Sequence, residues 1–582
     1  MAQTLLSVPG GEAAHSPAAR AIFFLSMKNL LALTLLLAAC ATTSTQRTDY
    51  DIVLRHATLY DGSGRAPIHG DLAIRGDRIA ALGDVHGRGA TEIDVHDLAV
   101  APGFINVMSQ AQESLIADGR GLSDTKQGVT TEIFGEGESM GPLSPAMKKE
   151  LVDYQGDIKY PVAWTTLREY LDWLRARGVT PNIGSFLGAA TPRVYVLGRE
   201  NRDPSPAELA QMLAVTRKAM DDGAFGVASA LIYAPGAYAK TDELIALARV
   251  AGEHGGIYIS HMRSEGNRVV EAVDELITIA RAGHLPAEIY HLKAAGRTNW
   301  PKMDDVIAHV NAARAAGLQI SADMYTYTAG MTGLDAAMPT WVQAGGYEAW
   351  RKRLQDPATR QKVIAEMRTP SDTWENLLLL AGGADRVLLV GFKSDALKPL
   401  TGKTLAEVAT MRGVSPEDAA IDLVIEDGTR VSTIYFLMSE DNLRKQIALP
   451  YVSFGSDADS SAPEGVFLKS SNHPRAYGNF ANLLGRYVRD EHVIPLAEAV
   501  RRMTSLPARN LGVANRGLLT PGHFADVVVF DPATIGAQST YEKPMQFATG
   551  VVDVFINGVE VLKDGEHTGA KPGRVVVRER GR

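Results

Sequence analysis

Apolar residues along the chain fall into two textures. Between residues 50 and 100 they form short β-type runs, Asp51-Ile52-Val53-Leu54, Asp71-Leu72-Ala73-Ile74-Arg75 and Ile79-Ala80-Ala81-Leu82. Turn residues at Asp61-Gly62, Gly76-Asp77 and Gly83-Asp84 part them. The same texture returns at 525–530 and 551–558. In between, short apolar runs alternate with longer stretches of helical spacing, such as 206–222 and 242–253. The strand candidates are 129–134, 183–187, 226–228, 256–260, 287–290, 320–323, 387–390 and 452–455. Such alternation predicts a parallel α/β sheet, here a TIM-like (β/α)8 barrel. The β-rich ends predict that this barrel is inserted in a small β-sandwich built from both termini. The expected divisions are a leader and tether at 1–48, sandwich at 49–100, barrel at 101–510 and sandwich again at 511–582. From Trp341 to Gly382 the rhythm gives way to a polar, helix-prone stretch, which predicts a helical insertion at about 341–382.

Two of the predicted strands stop at a histidine. The run Gly256-Ile257-Tyr258-Ile259-Ser260 ends at His261, and Ala287-Glu288-Ile289-Tyr290 ends at His291, with Lys293 just beyond. A helical stretch with Val269, Val273, Leu276 and Ile277 separates them, so the pair spans one strand–helix–strand unit. Both imidazoles then sit at the C-terminal edge of the barrel, where such folds carry their chemistry, and neutral imidazole is the commonest metal ligand. The last strand candidate runs through Ser453-Phe454-Gly455-Ser456 into Asp457, placing a carboxylate at the same edge as a candidate general base and acid. His473, His254, His284 and His309 are read as structural or surface residues.

Composition removes several alternatives. A net charge of −8 with no cluster of Lys or Arg offers no nucleic-acid surface. The single cysteine, Cys40, excludes a disulfide framework and a cysteine metal cluster. Cys40 closes a leader-like segment: Met27-Lys28-Asn29, a Leu/Ala run too short to span a bilayer, then Leu37-Ala38-Ala39-Cys40. That end resembles a bacterial lipobox, which implies lipidation at Cys40 and a protein anchored on the periplasmic face of the membrane. The alternative is a soluble periplasmic or secreted form. Residues 1–26 read as an upstream extension from a misplaced start, and Thr42 to Thr48 as a tether.

The ordered motifs carry a resemblance over Tyr50 to Val577. They are Ala101-Pro102-Gly103-Phe104-Ile105-Asn106, Gly128-Val129-Thr130-Thr131, Ser229-Ala230-Leu231-Ile232-Tyr233-Ala234-Pro235-Gly236, Ser260-His261-Met262-Arg263, His291-Leu292-Lys293, Gly455-Ser456-Asp457, His473-Pro474-Arg475 and Pro521-Gly522-His523-Phe524-Ala525-Asp526. In these the chain resembles the N-acyl-D-amino-acid deacylase (D-aminoacylase) branch of the amidohydrolase superfamily. It departs from that branch in two places. The first-strand His-x-His falls at Met108-Ser109-Gln110, and the metal-binding cysteine falls near Gly137. Neither methionine nor an amide is a good zinc ligand, so one zinc per chain is expected rather than two. The ligands expected are His261, His291 and a carboxylate of Gly135-Glu136-Gly137-Glu138, Glu136 being favoured over Glu138. The resemblance implies that Lys293, Arg475 and Tyr233 hold a substrate carboxylate, with Tyr325 near the scissile carbonyl. The expected activity is hydrolysis of N-acyl amino acids, D or L being left open. A dipeptidase, another amide, urethane or lactone hydrolase, and a pseudoenzyme that binds amides without turnover remain as alternatives.

Overall fold

The computed structural model describes residues 48–579; the leader and Cys40 lie outside the described residues. Its frame is a nine-stranded sheet drawn from both ends of the chain. Strand Tyr50–Leu59 pairs antiparallel with Ile68–Arg75, which pairs in turn with Arg78–Gly83 across the Gly76-Asp77 turn. The two ends meet where Ala99–Pro102 runs antiparallel to Val527–Phe530, with Pro102 opposite Val527 and Ala99 opposite Phe530. Every residue of both strands is buried, because Val100, Val527 and Val529 pack with Leu54, Leu72, Ile74 and Phe555 on one face while Ala99, Ala101, Val528 and Phe530 face the main core on the other.

Between these ends lies the barrel. Its strands are β1 (Phe104–Asn106), β2 (Val129–Phe134), β3 (Asn182–Ser185), β4 (Gly226–Ala230), β5 (Ile257–His261), β6 (Ala287–Ile289), β7 (Ile320–Met324) and β8 (Val452–Phe454). Neighbours pair in parallel from β1 to β3 and from β4 to β8. The chain breaks at Phe186, whose N–H bonds to Phe134 O at 2.8 Å. The short piece Leu187–Gly188 then carries β3 across to β4. The ring closes beyond β8, where Ser109 and Ala458 form a parallel bridge and the Asp457 N–H donates to Met108 O at 2.8 Å. Ile105, Met108, Ile133, Phe186, Ile259 and Tyr290 fill the interior, so the barrel is a packed core and not a pore.

The helices behave as their sequences predict. The helix Pro206–Asp221 starts on Ser205, which accepts from the Glu208 N–H while the Glu208 side chain accepts from the Ser205 N–H, and Pro206 sits in the first turn. The helix Val269–Gly283 turns Val269, Val273, Leu276 and Ala280 into the core between β5 and β6.

One strand prediction is corrected. Val387–Gly391 does not enter the barrel; it pairs antiparallel with Ser432–Phe436, which pairs with Ala329–Gly333 in a separate three-stranded sheet. A short apolar run looks alike in either setting, and its partner Ser432–Phe436 begins on an exposed serine that hides it from a search for buried strands. β1, only three residues long, supplies the eighth strand instead. The excursion between β7 and β8 therefore exceeds 341–382: it begins at Ala329 and returns at Phe436, with helices Tyr347–Gln355, Pro357–Met367 and Leu377–Ala381 inside it.

A buried polar knot ties the terminal sheet to the barrel. The Asp526 carboxylate pairs with Arg516, accepts from the Asn557 N–H at 2.8 Å and takes the Asn182 amide at 3.2 Å at the start of β3. Asp526→Ala would leave the Arg516 guanidinium buried without a counter-charge. The expected cost is about 3–5 kcal/mol, read as a lower urea midpoint of the variant against the parent.

Candidate active site

β2 runs out into Gly135-Glu136-Gly137, where both glycines take positive φ, +105° and +66°. A Cβ at Gly135 would meet Phe186 O at 2.5 Å, and one at Gly137 would meet the Ala230 Cβ at 2.9 Å. The glycines thus let the chain turn inside the barrel rim and carry Glu136 to its mouth. There His261 at the end of β5 and His291 just past β6 reach the same oxygen: His261 Nδ1 lies 3.2 Å and His291 Nε2 3.3 Å from Glu136 Oε1. The other Glu136 oxygen accepts from the Gln110 amide at 2.7 Å. Although burial opposes its charge, the hydrogen bonds from His261 and His291 hold the Glu136 carboxyl well below the usual carboxylate range. Glu138, the other carboxylate considered, turns away and pairs with Arg199 at 2.8 and 3.1 Å.

Behind the histidines stands Glu265, which the sequence reading did not single out. Its Oε1 is 2.9 Å from His291 Nδ1 and accepts from Lys293 Nζ at 2.7 Å. Lys293 Nζ is also 2.7 Å from His291 Nδ1, so lysine and carboxylate compete for that ring nitrogen. For His291 Nε2 to offer a lone pair, the ring proton must sit on Nδ1, where Glu265 accepts it and Lys293 serves the carboxylate instead. Burial and Lys293 disfavour the imidazolium, yet Glu265 and Glu136 outweigh them and raise His291 to about 10. Glu265 is held in turn by Glu375 of the excursion, which accepts from the Glu265 N–H at 2.8 Å.

Asp457 follows β8 with φ of +49°, a strained position that asparagine and aspartate tolerate better than most residues. Its carboxylate faces Gln110 Nε2 at 3.5 Å and Arg475 Nη1 at 2.9 Å. Burial pushes its pKa up against the pull of Arg475. Arg475 is fixed from behind by His473, which accepts from the Arg475 N–H at 3.0 Å and bonds Ala329 O at 2.9 Å through its other nitrogen. The Arg475 guanidinium lies 4.4 Å over the Tyr325 ring, and the Tyr325 hydroxyl contacts Met438 Sδ at 3.6 Å. Tyr233 stacks edge-on against His261 at 5.0 Å and carries Arg430 4.8 Å above its other side.

Glu136, His261, His291, Asp457, Lys293, Arg475, Tyr233 and Tyr325 all line one cavity of about 970 Å³. Of the other histidines weighed in the sequence, His254 bonds Val250 O, His309 faces Asp274 and His284 ends its helix, all away from this cavity. Glu265 and Gln110 are the residues the sequence reading passed over. Glu265 stands four residues past His261, in a loop whose spacing says nothing about where it folds back. Gln110 was read only as a missing ligand; the structure shows its amide bridging two carboxylates.

The donor set suits a metal ion. Among the described residues, Glu136, His261 and His291 offer two imidazole nitrogens and a carboxylate oxygen within 4.8 Å of one another. The ion would enter a buried cluster in which His261 Nδ1 and His291 Nε2 already converge on Glu136 Oε1, with His261 Nε2 3.6 Å from Glu265 Oε2 on the far side of its ring. Two nitrogens and one oxygen with room for a fourth ligand match a catalytic zinc set.

Comparison with known proteins agrees with this geometry. Residues 380–561 match the family model of the amidohydrolase family. The D-aminoacylase of Alcaligenes xylosoxydans xylosoxydans is 34% identical over 91% of this chain and 98% of its own length. A crystal structure of D-aminoacylase superposes with a TM-score of 0.76 at 32% identity, covering 91% of this chain and all of that one. The N-acyl-D-glutamate deacylase of Bordetella bronchiseptica, solved with zinc and a phosphonate inhibitor that mimics the tetrahedral intermediate, gives 0.74 at 29% identity, with 91% and 100% covered. The fold and site thus define an amidohydrolase, and the chain belongs to the D-aminoacylase branch of that superfamily.

The geometry separates the two carboxylates considered. Zinc retained after dialysis should fall strongly in Glu136→Gln, His261→Ala and His291→Ala, and stay near the parent level in Glu138→Gln. Metal analysis of the four purified variants is the measurement; equal loss in Glu136→Gln and Glu138→Gln would contradict the assignment.

Proposed function

We propose that the protein is a zinc-dependent amidase that releases amino acids from their N-acyl derivatives, with a preference for the D configuration. The observation that carries this is the placing of Asp457, on the seam of the barrel, in the same cavity as the Glu136–His261–His291 cluster. Relatives named for deacylation of N-acyl-D-aspartate and N-acyl-D-glutamate, at 33% and 30% identity, support the substrate class.

A zinc ion held by Glu136, His261 and His291 would supply Lewis acidity, polarising the amide carbonyl and raising the acidity of water. The chain's own residues do the rest. Asp457, whose charged form Arg475 favours against burial, takes a proton from the attacking water as its oxygen adds to the carbonyl carbon. It then gives that proton to the departing nitrogen as the C–N bond breaks, leaving a carboxylate and a free amine. Gln110 fixes Asp457 and Glu136 relative to each other through the two hydrogen bonds of one amide. Glu265 and Lys293 set the ring orientation of His291. Arg475, Lys293 and Tyr233 are the candidates to hold a substrate carboxylate and Tyr325 to lie near the scissile carbonyl; Arg475 stacks over the Tyr325 ring and Tyr233 packs edge-on against His261. One ion per chain is expected, because Met108 and Gln110 replace the first-strand histidines and Gln110 is committed to the two carboxylates.

Asp457→Asn keeps the size and most hydrogen bonding of the side chain but cannot take the proton. Turnover should fall by about two to four orders of magnitude with zinc content and melting temperature near those of the parent. The assay is hydrolysis of N-acetyl-D- and N-acetyl-L-amino acids; undiminished hydrolysis in the variant removes Asp457 from the mechanism. A zinc-loaded parent inactive on every amide tested would favour a binding protein.

The lipobox-like Leu37-Ala38-Ala39-Cys40 supports a lipid anchor on the periplasmic face of the membrane. Cys40→Ser should shift the protein from the membrane fraction to the soluble one; equal fractionation of the two forms would argue for a soluble periplasmic or secreted protein.

A further inference from the structure

The cavity that holds the metal cluster is larger than its chemistry requires. At about 970 Å³ it lies near the top of the range of small-molecule sites, and an N-acetyl amino acid fills only a small part of it. One stretch of chain walls it from the cluster outwards. Residues 136–140 and then Leu143 line it, and the helix Pro145–Asp153 continues the wall. The Ser144 side chain starts that helix by accepting from the Met147 N–H. Met147, Glu150, Leu151 and Tyr154 stand three and four residues apart, so one helix face and its cap are turned to the cavity over about 10 Å.

The charges along this wall are paired off. Glu150, the one acid of the helix face, is taken by Arg199 at 2.5 Å, and the same guanidinium takes Glu138 at 2.8 Å. Val466 and Phe467 bring further apolar lining from another segment, which Lys469 ties to the end of the first through Asp157 at 3.2 Å. The Tyr347 ring, also lining the cavity, meets Tyr154 edge-on at 5.8 Å. The outer end reaches water: Tyr154 is 38% and Leu468 61% exposed, and there Lys393 donates to Asp153 O at 3.4 Å. Apolar lining thus runs from beside the metal cluster to the rim, where a soluble acetyl group would leave most of it uncovered.

We infer that the acyl group of the substrate is a hydrocarbon chain well beyond acetyl, laid along Met147, Leu151 and Tyr154 towards the rim. This rests on the deacylase reading above and names its acyl group. With the α-carboxylate among Arg475, Lys293 and Tyr233, the acyl chain is the part that leaves directly from the carbonyl carbon, and the wall begins at the metal-binding Glu136 itself. Hydrolysis then yields a fatty carboxylate and a free amino acid, with water as the only co-reactant.

The test compares N-acetyl- with N-octanoyl-alanine, and separately N-acetyl-alanine with N-acetyl-norleucine, each in both enantiomers. Half-burial of the added methylenes should favour the octanoyl substrate in kcat/KM by about thirtyfold to a hundredfold. That ratio should fall by about fivefold to tenfold in Leu151→Gln and, from the other segment, in Phe467→Ser, with melting temperatures showing that both variants fold. A parent ratio near one, or a ratio that survives both substitutions, overturns the inference. So does a gain with side-chain length alone, which would give the wall to the side chain. Calorimetric binding of octanoate against acetate to the zinc-loaded protein gives a readout independent of turnover. If the parent hydrolyses no amide yet binds octanoate more tightly, and Leu151→Gln removes the difference, the deacylase reading fails and the acyl wall stands. Absence of both hydrolysis and octanoate binding overturns the two together, and hydrolysis indifferent to acyl length overturns the acyl wall alone.

Discussion

Everything in the site depends on one carboxylate oxygen, Oε1 of Glu136, at which two imidazoles from different strands converge. Buried charge at such a point is unstable unless each partner is itself held. The surroundings supply that restraint in layers. Gly135 and Gly137 bring the glutamate in, Gln110 takes its second oxygen, and Glu265 sets the far side of His291. Glu375, from a segment inserted between β7 and β8, clamps the backbone of Glu265 with both carboxylate oxygens. Parts of the chain more than 200 residues apart thus share one electrostatic problem, from Gln110 and Glu136 to Glu375.

The proton-handling residue is held by a different means. Asp457 stands where the ring closes, tied through its N–H to Met108 O and, through Ala458, to Ser109 and the Gln110 N–H. β8 owes its late position in the sequence to the excursion from Ala329 to Phe436, which folds around its own three-stranded sheet. That excursion also supplies Arg430 and Asp335 to the cavity wall. The ring fixes the reacting groups, and the inserted segment shapes much of what surrounds them.

Which parts of this were legible in the sequence follows from what each signal encodes. His261 and His291 stood out because a strand's end and the length of a strand–helix–strand unit are local properties of the chain. Asp457 was legible for the same reason, once a barrel was in hand. Glu265 was not, because its meeting with His291 depends on a loop folding back and not on any period. Val387–Gly391 misled because an apolar run of five residues does not state whether its neighbours run parallel or antiparallel. Gln110 was seen only for the ligand it is not. The hydrogen bonds that give it a position need both carboxylates in place.

The way the terminal sheet is assembled has a consequence for how the molecule comes into being. Ala99–Pro102 finds its antiparallel partner only in Val527–Phe530, so a ribosome must add more than 400 residues before that edge can be covered. Until then the strand offers unpaired N–H and C=O groups flanked by Tyr50–Leu59, a ready template for another copy in the same condition. The barrel can gather its core as it emerges, but the two ends of the chain meet last. Newly made chains are therefore most vulnerable to mutual association late in synthesis, and a chaperone that shields the N-terminal strands would act on the longest-lived exposed edge of the fold.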